Sequence, residues 1–281
     1  WIRVSQFQDR TVDDFARKLE DMTKQEPHMK GLVLDLRNDP GGLLEASVAV
    51  ASTFLQPDSI VVTTNGQIAE SKATFKASPD YYLRRGGSDP LAKLPQTLKS
   101  VPLVVLVNEG SASASEIVAG ALQDHHRATI MGAQTFGKGS VQTVRQLSPD
   151  TALKITTARY YTPSGRSIQA KGIVPDVMLD ETADGNLFAA LRIREADLDK
   201  HLQSGQGAEQ KDVAREKARE EARKKLEEES AKSSAPPKPL PEFGSADDFQ
   251  LAQALNRLKG KTVLASKTAT ERKAEAEVET H

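Results

Sequence analysis

The sequence predicts an α/β fold built around a parallel sheet. Two short runs, residues 31–37 and 101–107, are apolar at almost every position, which indicates strands buried on both faces. Segments with apolar residues three and four positions apart lie between such runs, so strand and helix alternate along the chain. This alternation is typical of parallel strands that are joined by crossover helices.

The first elements follow one another from the N-terminus. The opening Trp1-Ile2-Arg3-Val4 alternates as a strand does, and we expect Thr11 to cap a helix. The strand over 31–37 ends at the turn sequence Asn38-Asp39-Pro40-Gly41-Gly42. Residues 43–55, which are rich in alanine and valine, are predicted to form a helix.

The middle of the chain continues this pattern and then changes it. A strand over 60–64 is followed by a weakly patterned loop to residue 100, and a helix is predicted over 113–125. A third buried strand is predicted over 128–132. The alternating segments 141–147 and 153–161 flank Ser148-Pro149-Asp150, which predicts a hairpin.

The C-terminal third is more polar, and we expect it to divide from a core over 1–180. Its first part, 181–229, is predicted to be a helical extension with a helix over 186–202 and a charged run over 206–229. Favourable pairs four residues apart in that run are Glu220/Lys224 and Glu221/Lys225. We further expect a linker of proline, serine and alanine (230–246), a short amphipathic helix (247–265) and a disordered tail (266–281).

Composition excludes several classes of function. The 281 residues carry a formal net charge of −1, so no basic field favours nucleic acid. The chain has no cysteine and no His-x-x-x-His spacing, so we expect neither metal nor cofactor. No segment approaches the roughly 20 apolar residues of a membrane-spanning helix. Because the chain starts within a strand and without methionine, we expect a fragment or a mature piece.

Three serines, Ser111, Ser113 and Ser115, lie where the 101–107 strand gives way to a helix. The N-terminus of a helix favours developing negative charge, so a serine placed there is a candidate nucleophile. The simpler interpretation is that these serines cap the helix, and the segment on its own favours that interpretation.

A lone lysine, Lys138, lies between Gly137 and Gly139. The spacing from Gly132 resembles a phosphate-binding loop, but that motif needs serine or threonine directly after the lysine and a helix after the loop. A nucleotide site is therefore the less favoured interpretation. A lysine acts as a general base when burial lowers its pKa, and the apolar surroundings of Lys138 (Phe136 and the strands) are compatible with burial. A solvated lysine in a glycine-rich turn is the common alternative.

The glycine turn at 38–42 completes the set of candidate groups. Paired glycines let a backbone N–H approach a ligand closely, which suits an oxyanion hole shared with the N–H of Ala114. Considered alone, the segment is explained as a turn.

Together these segments resemble the carboxyl-terminal processing proteases, the tail-specific serine peptidases of family S41. The resemblance covers residues 1 to about 180, and a weaker similarity extends over 249–259. It is carried by four ordered motifs: Leu34 to Gly42, Val104 to Glu116, Thr135 to Gln142, and Tyr160 to Gln169 with Gly172 to Asp176.

The resemblance implies a ClpP/crotonase-like core of stacked parallel strands and helices that acts as a serine endopeptidase through an acyl-enzyme. By analogy, Ser113 is the nucleophile, because the family's serine-to-lysine interval joins it to Lys138 as the base. Gln142 would orient that lysine. The oxyanion donors would be the backbone N–H groups of Gly42 and Ala114, with Gly41 as the nearest competitor to Gly42.

The resemblance also implies partners and a compartment. We expect unfolded or C-terminally exposed protein substrates, an adaptor protein, and the periplasm of the bacterial envelope. Family members usually carry a PDZ domain ahead of the strand that resembles residues 1–7, so we expect this chain to capture substrate poorly. The helix at 247–258 needs a covering surface, its own core or a second copy, which leads us to expect a homo-oligomer. A catalytically silent scaffold of the same fold is the alternative function.

Overall fold

The computed structural model describes residues 1–83, 87–185, 189, 191–206, 216–217, 219–224, 227 and 241–266. The strands are β1 (Ile2–Arg3), β2 (Leu32–Asp35), β3 (Ile60–Gly66), β4 (Ala73–Lys76), β5 (Leu103–Val107), β6 (Thr129–Gly132), β7 (Ser140–Ser148), β8 (Thr151–Tyr161) and β9 (Val177–Met178). The α-helices are α1 (Thr11–Gln25), α2 (Leu44–Phe54), α3 (Ala114–Asp124) and α4 (Phe249–Leu258).

A five-stranded parallel sheet lies at the centre of the fold, in the order β1-β2-β5-β6-β9. In its register, Leu34 pairs with Val105, and Val105 pairs with Ile130. All four pairings are parallel, which confirms the predicted α/β core.

Helices cover both faces of the parallel sheet. Leu34 and Val105 point into the larger apolar cluster, to which α1, α2 and α3 contribute. Their neighbours Val33 and Val104 point to the opposite face, where they pack with Leu251 of α4. Because successive side chains of a strand face opposite sides, burial of both faces explains why the runs at 31–37 and 101–107 are uninterrupted.

The second sheet is antiparallel, with the order β4-β3-β8-β7. The predicted hairpin is formed by β7 and β8, and its outer part, residues 142–148 and 151–156, is exposed on both faces. Strand β4 lies in the stretch for which the sequence predicts a loop, so its presence is a correction. This strand has only four residues and pairs with β3.

Two local predictions were wrong. Thr11 is the first helical residue rather than a cap, because its hydroxyl accepts a hydrogen bond from Gln8 N and donates one to Gln6 O. The helix predicted over 186–202 is absent from the described residues 191–202, which hold a 3₁₀ turn at Glu195–Asp197. Tertiary contacts explain this, since Glu195 N donates to Phe136 O at 3.0 Å.

Parts of the C-terminal third follow the prediction. The described residues 216–217, 219–224 and 227 are helical, and the Glu220–Lys224 ion pair is formed at 3.0 Å. Lys225, most of the predicted linker (residues 230–240) and the tail beyond residue 266 lie outside the described residues. None of the helices that the structure describes is long and apolar enough to cross a membrane.

Candidate active site

Ser113 lies at the sharp turn between β5 and α3. Its backbone has φ 56° and ψ −110°, a conformation that residues other than glycine rarely adopt. Ser111 and Ser115 are fully buried, and their hydroxyls donate to Leu36 O and Asp39 O. Ser113 is only half-buried. Of the three serines, Ser113 is therefore the one that a substrate can reach.

The glycine turn packs directly against the Ser113 turn. A Cβ on Gly41 would lie 2.5 Å from Ala112 O and 2.7 Å from Ala114 N, and Gly41 has a φ of 90°. Only glycine permits this close approach. The Gly41 N–H donates to Asp39 Oδ1 at 2.8 Å. Within the described part of the chain, the N–H groups of Gly42 and Ala114 have no acceptor, so they are free to bind an anion.

The carboxylate of Glu116 joins the serine turn to the lysine loop. Its Oε2 accepts from Ser113 N at 2.7 Å and from Lys138 N at 2.9 Å. Its Oε1 accepts from Gly137 N at 2.7 Å and from the Thr135 hydroxyl at 2.5 Å. Burial raises the pKa of Glu116 to about 7, and these hydrogen bonds offset only part of that effect. One buried side chain thus fixes both segments relative to each other.

Glu116 is not among the site residues predicted from the sequence. Ser113 and Glu116 are spaced as in a capping box, in which the third residue of the helix accepts a hydrogen bond from the N-cap backbone. That spacing was the available signal. Because Glu116 also occupies the Gly137 and Lys138 N–H groups, these amides are not available to hold a phosphate, which removes the argument for a nucleotide site.

The side chains of Lys138 and Gln142 are not assembled with Ser113. Lys138 is exposed, so the structure agrees with the alternative of a solvated lysine in a glycine-rich turn and not with a buried one. Among the described residues, no hydrogen bond or ion pair joins its ammonium to Ser113 or Gln142. Gln142 lies on the exposed part of β7, and its amide donates to the Thr156 hydroxyl at 2.6 Å. The structure brings together the backbones of Ser113 and Lys138 but leaves the lysine side chain in solvent.

A buried charge cluster holds the strand that precedes the glycine turn. The Arg37 guanidinium contacts both carboxylate oxygens of Asp35 and both of Asp248, at 2.6–2.9 Å. Burial alone would lower the pKa of Arg37, but the hydrogen bonds from these two carboxylates raise it. The Phe243 ring lies 4.1 Å from the guanidinium. Asp35 is therefore committed to Arg37, and the described residues contain no group that could hold a metal ion.

The fold and this arrangement define a class of α/β protein in which a strained strand-to-helix turn presents a serine beside unengaged backbone N–H groups. Within that class, the chain belongs to peptidase family S41, whose profile matches residues 1–179. The match covers the five-stranded sheet, the hairpin and every candidate site residue.

Individual relatives agree with the family assignment. The chain is 45% identical over 183 residues to a carboxy-terminal-processing protease of Bartonella bacilliformis. It is 39% identical over 181 residues to a carboxyl-terminal-processing protease of Synechocystis sp.. Each match covers 64% of this chain and 38% of the relative. The chain therefore spans about two fifths of the length of these relatives.

Two solved structures resemble the fold. The photosystem II D1 C-terminal processing protease is 37% identical with a TM-score of 0.52, and the match covers 65% of this chain and 42% of that one. An S41 protease from Bacteroides fragilis is only 17% identical, and its TM-score of 0.54, over 91% of this chain and 53% of that one, supports the fold alone.

Proposed function

We propose that this chain is the core of a serine endopeptidase in which Ser113 is the nucleophile and Lys138 the general base. The observation that carries the proposal is the Ser113 turn itself. A reachable serine in a strained conformation lies beside the unengaged N–H groups of Gly42 and Ala114, and Glu116 links its backbone to that of Lys138.

The proposed reaction begins when neutral Lys138 takes the proton of the Ser113 hydroxyl. The serine oxygen attacks the scissile carbonyl carbon, and the oxyanion accepts hydrogen bonds from Gly42 and Ala114. Lys138 then gives its proton to the leaving amine, so the amide C–N bond breaks and an acyl-enzyme remains. Water, deprotonated by Lys138, hydrolyses the ester and restores Ser113.

This mechanism requires the lysine side chain to move. The Lys138 backbone is already held through Glu116, so rotation about the four-carbon stem has to bring the amine to the Ser113 hydroxyl. A bound substrate would exclude water from the amine and favour its neutral form. Gln142 would leave Thr156 to orient the amine.

We propose that the substrates are polypeptides with unfolded or exposed C-termini, processed in the bacterial periplasm with the help of an adaptor protein. The names of the Bartonella and Synechocystis relatives support the substrate class. A homo-oligomer through the C-terminal helices would have to use the outward face of α4, where Ala252 and Leu255 are exposed, because the inward face packs on the sheet of the same chain.

Active-site labelling and cleavage together test this function. We expect a serine-reactive phosphonate to label the purified chain on the peptide that contains Ser113, and an unstructured protein at high concentration to be cleaved. Ser113→Ala should abolish both, whereas Ser100→Ala, an exposed control, should change neither. Cleavage retained by Ser113→Ala contradicts the nucleophile. A folded wild-type chain that is neither labelled nor active supports the scaffold alternative.

A further inference from the structure

Asp39 places a buried carboxyl directly behind the glycine turn. The side chain is 0% exposed, and its Oδ1 accepts the Gly41 N–H at 2.8 Å. Its Oδ2 is buried and accepts no hydrogen bond from the residues that the structure describes. The Asp39 carbonyl accepts from Ala112 N and from the Ser115 hydroxyl, each at 2.9 Å, so the residue is fixed to the serine turn. The proposed reaction makes no use of this carboxyl.

Asp39 lies close to both proposed oxyanion donors. Gly42, whose N–H is a proposed oxyanion donor, is the next residue, and Gly41 itself touches the backbone of Ala114, the other donor. The Asp39 carboxyl is hydrogen-bonded to Gly41, the residue directly before the proposed donor Gly42. A charge on this carboxyl therefore lies close to the place where the oxyanion forms. Once a bound substrate has displaced water from the site, like charges that lie close together interact strongly.

We propose that Asp39 is a positioning residue whose carboxyl must be neutral for efficient cleavage. The neutral carboxyl keeps an acceptor for the Gly41 N–H and so holds the glycine turn in place. The ionised carboxyl makes the same hydrogen bond but puts a negative charge beside the developing oxyanion, which raises the barrier. This inference rests on the proposed peptidase function, since it concerns the same oxyanion.

The charges around Asp39 are consistent with a neutral carboxyl near neutral pH. Burial raises the pKa of Asp39 to about 7, and the Gly41 hydrogen bond, the Ser115 hydroxyl and the charge of Arg3 offset only part of that effect. Other charged residues in or beside the two turns and the lysine loop include Arg37, Glu45, Glu109, Glu116 and Lys138. The charge of Arg37 is balanced by two carboxylates, and Glu116 accepts hydrogen bonds from four donors. Lys138 is exposed to solvent.

The expected dependence on pH follows from the two groups. Below pH 7 Asp39 is neutral and does not oppose the reaction. Above pH 7 it ionises and slows cleavage. A lysine base acts in the opposite direction, because its neutral fraction grows as the pH rises. Asp39 thus limits the gain in rate that a lysine base would otherwise give at higher pH.

Asp39→Asn tests the inference, because asparagine keeps an oxygen for the Gly41 N–H and cannot ionise. We would measure kcat/KM on an unstructured peptide from pH 5.5 to 9.5. The ratio of variant to wild type should be near one below pH 6 and rise to about tenfold above pH 8. Asp58→Asn, an exposed control also at positive φ, should give a constant ratio. A ratio for Asp39→Asn that is constant or falls with pH overturns the inference.

Thermal unfolding gives a second readout that does not depend on catalysis. The folded-state pKa of Asp39 lies above the unfolded value of 3.8, so the folded state holds the proton more tightly. The wild type should therefore lose stability relative to Asp39→Asn as pH rises from about 4 through 7, which shifts the Tm difference by several degrees. A constant difference overturns the inference even if both proteins cleave. If the Tm difference shifts with pH but neither protein cleaves, the peptidase function is overturned instead.

Discussion

The serine turn and the lysine loop of the candidate site are built in different ways. The serine turn lies between β5 and α3, and its neighbours Ser111, Ser115 and Glu116 are fully buried. The lysine loop leads into β7, whose outer residues are exposed on both faces, and Lys138 itself is exposed. The fold therefore fixes the proposed nucleophile and oxyanion donors, whereas it fixes only the backbone of the proposed base.

Replacing the base should separate catalysis from stability most clearly. We expect Lys138→Met to lower kcat by about a thousandfold, because it removes the group that moves the proton. The exposed side chain contributes little to packing, so the free energy of unfolding should change by less than about 0.5 kcal/mol. Peptide cleavage assays and urea unfolding measure the two effects. Lys154→Met, at an exposed position on β8, is the control, and equal activities of the two variants would contradict the proposed base.

Glu116→Gln should weaken both halves of the site together. Both carboxylate oxygens of Glu116 accept hydrogen bonds from backbone N–H groups. The glutamine amide keeps only one such oxygen, and its NH₂ group would face N–H donors with which it cannot form a hydrogen bond. We expect kcat/KM to fall about a hundredfold and stability by roughly 1–3 kcal/mol. Glu70→Gln, on an exposed turn, should do neither. If Glu116→Gln left cleavage unchanged, the carboxylate would not be what aligns the two segments.

Gln142→Ala tests whether the lysine loop is completed only when substrate binds. If Gln142 orients the amine in the complex, kcat should fall about tenfold while KM stays the same, since an orienting contact acts on the chemical step. Gln146→Ala is a matched control, because it alters the same residue type on the same exposed strand. A similar loss in both variants would indicate a general effect on the hairpin.

The smallest effect on cleavage, with a large effect on stability, is expected at the buried charge cluster of Arg37. Asp248→Asn removes one of the two carboxylates that neutralise buried Arg37, and we expect a loss of about 3 kcal/mol in the free energy of unfolding. At temperatures where the variant stays folded, kcat should be within about twofold of wild type. Asp247→Asn, the exposed neighbour, is the control for urea unfolding. Equal stabilities would show that the cluster is not a net support of the fold.

Local patterns in the sequence predicted much of the fold and part of the candidate site. Uninterrupted apolar runs predicted the buried strands, and the small residues around Ser113 predicted the turn, because both depend on neighbours in the chain. The helix predicted over 186–202 is not formed by the described residues 191–202, because the Phe136 carbonyl and the ion pairs of Arg192 hold them in another conformation. The exposure of Lys138 and the Arg37–Asp248 pair depend on distant segments, which no local pattern encodes.

The separation of Arg37 and Asp248 by 211 positions has a consequence for how the protein is made. Synthesis proceeds from the N-terminus and produces β2, β5 and β6 long before α4. The apolar residues that face α4, among them Val33, Val104 and Leu106, therefore remain uncovered by it until residues 249–258 have emerged. Contacts between such distant segments also slow folding. Nascent chains are thus most prone to aggregate just before residue 248 is added, and a chain stopped short of α4 would retain its serine turn with one face of its sheet open to water.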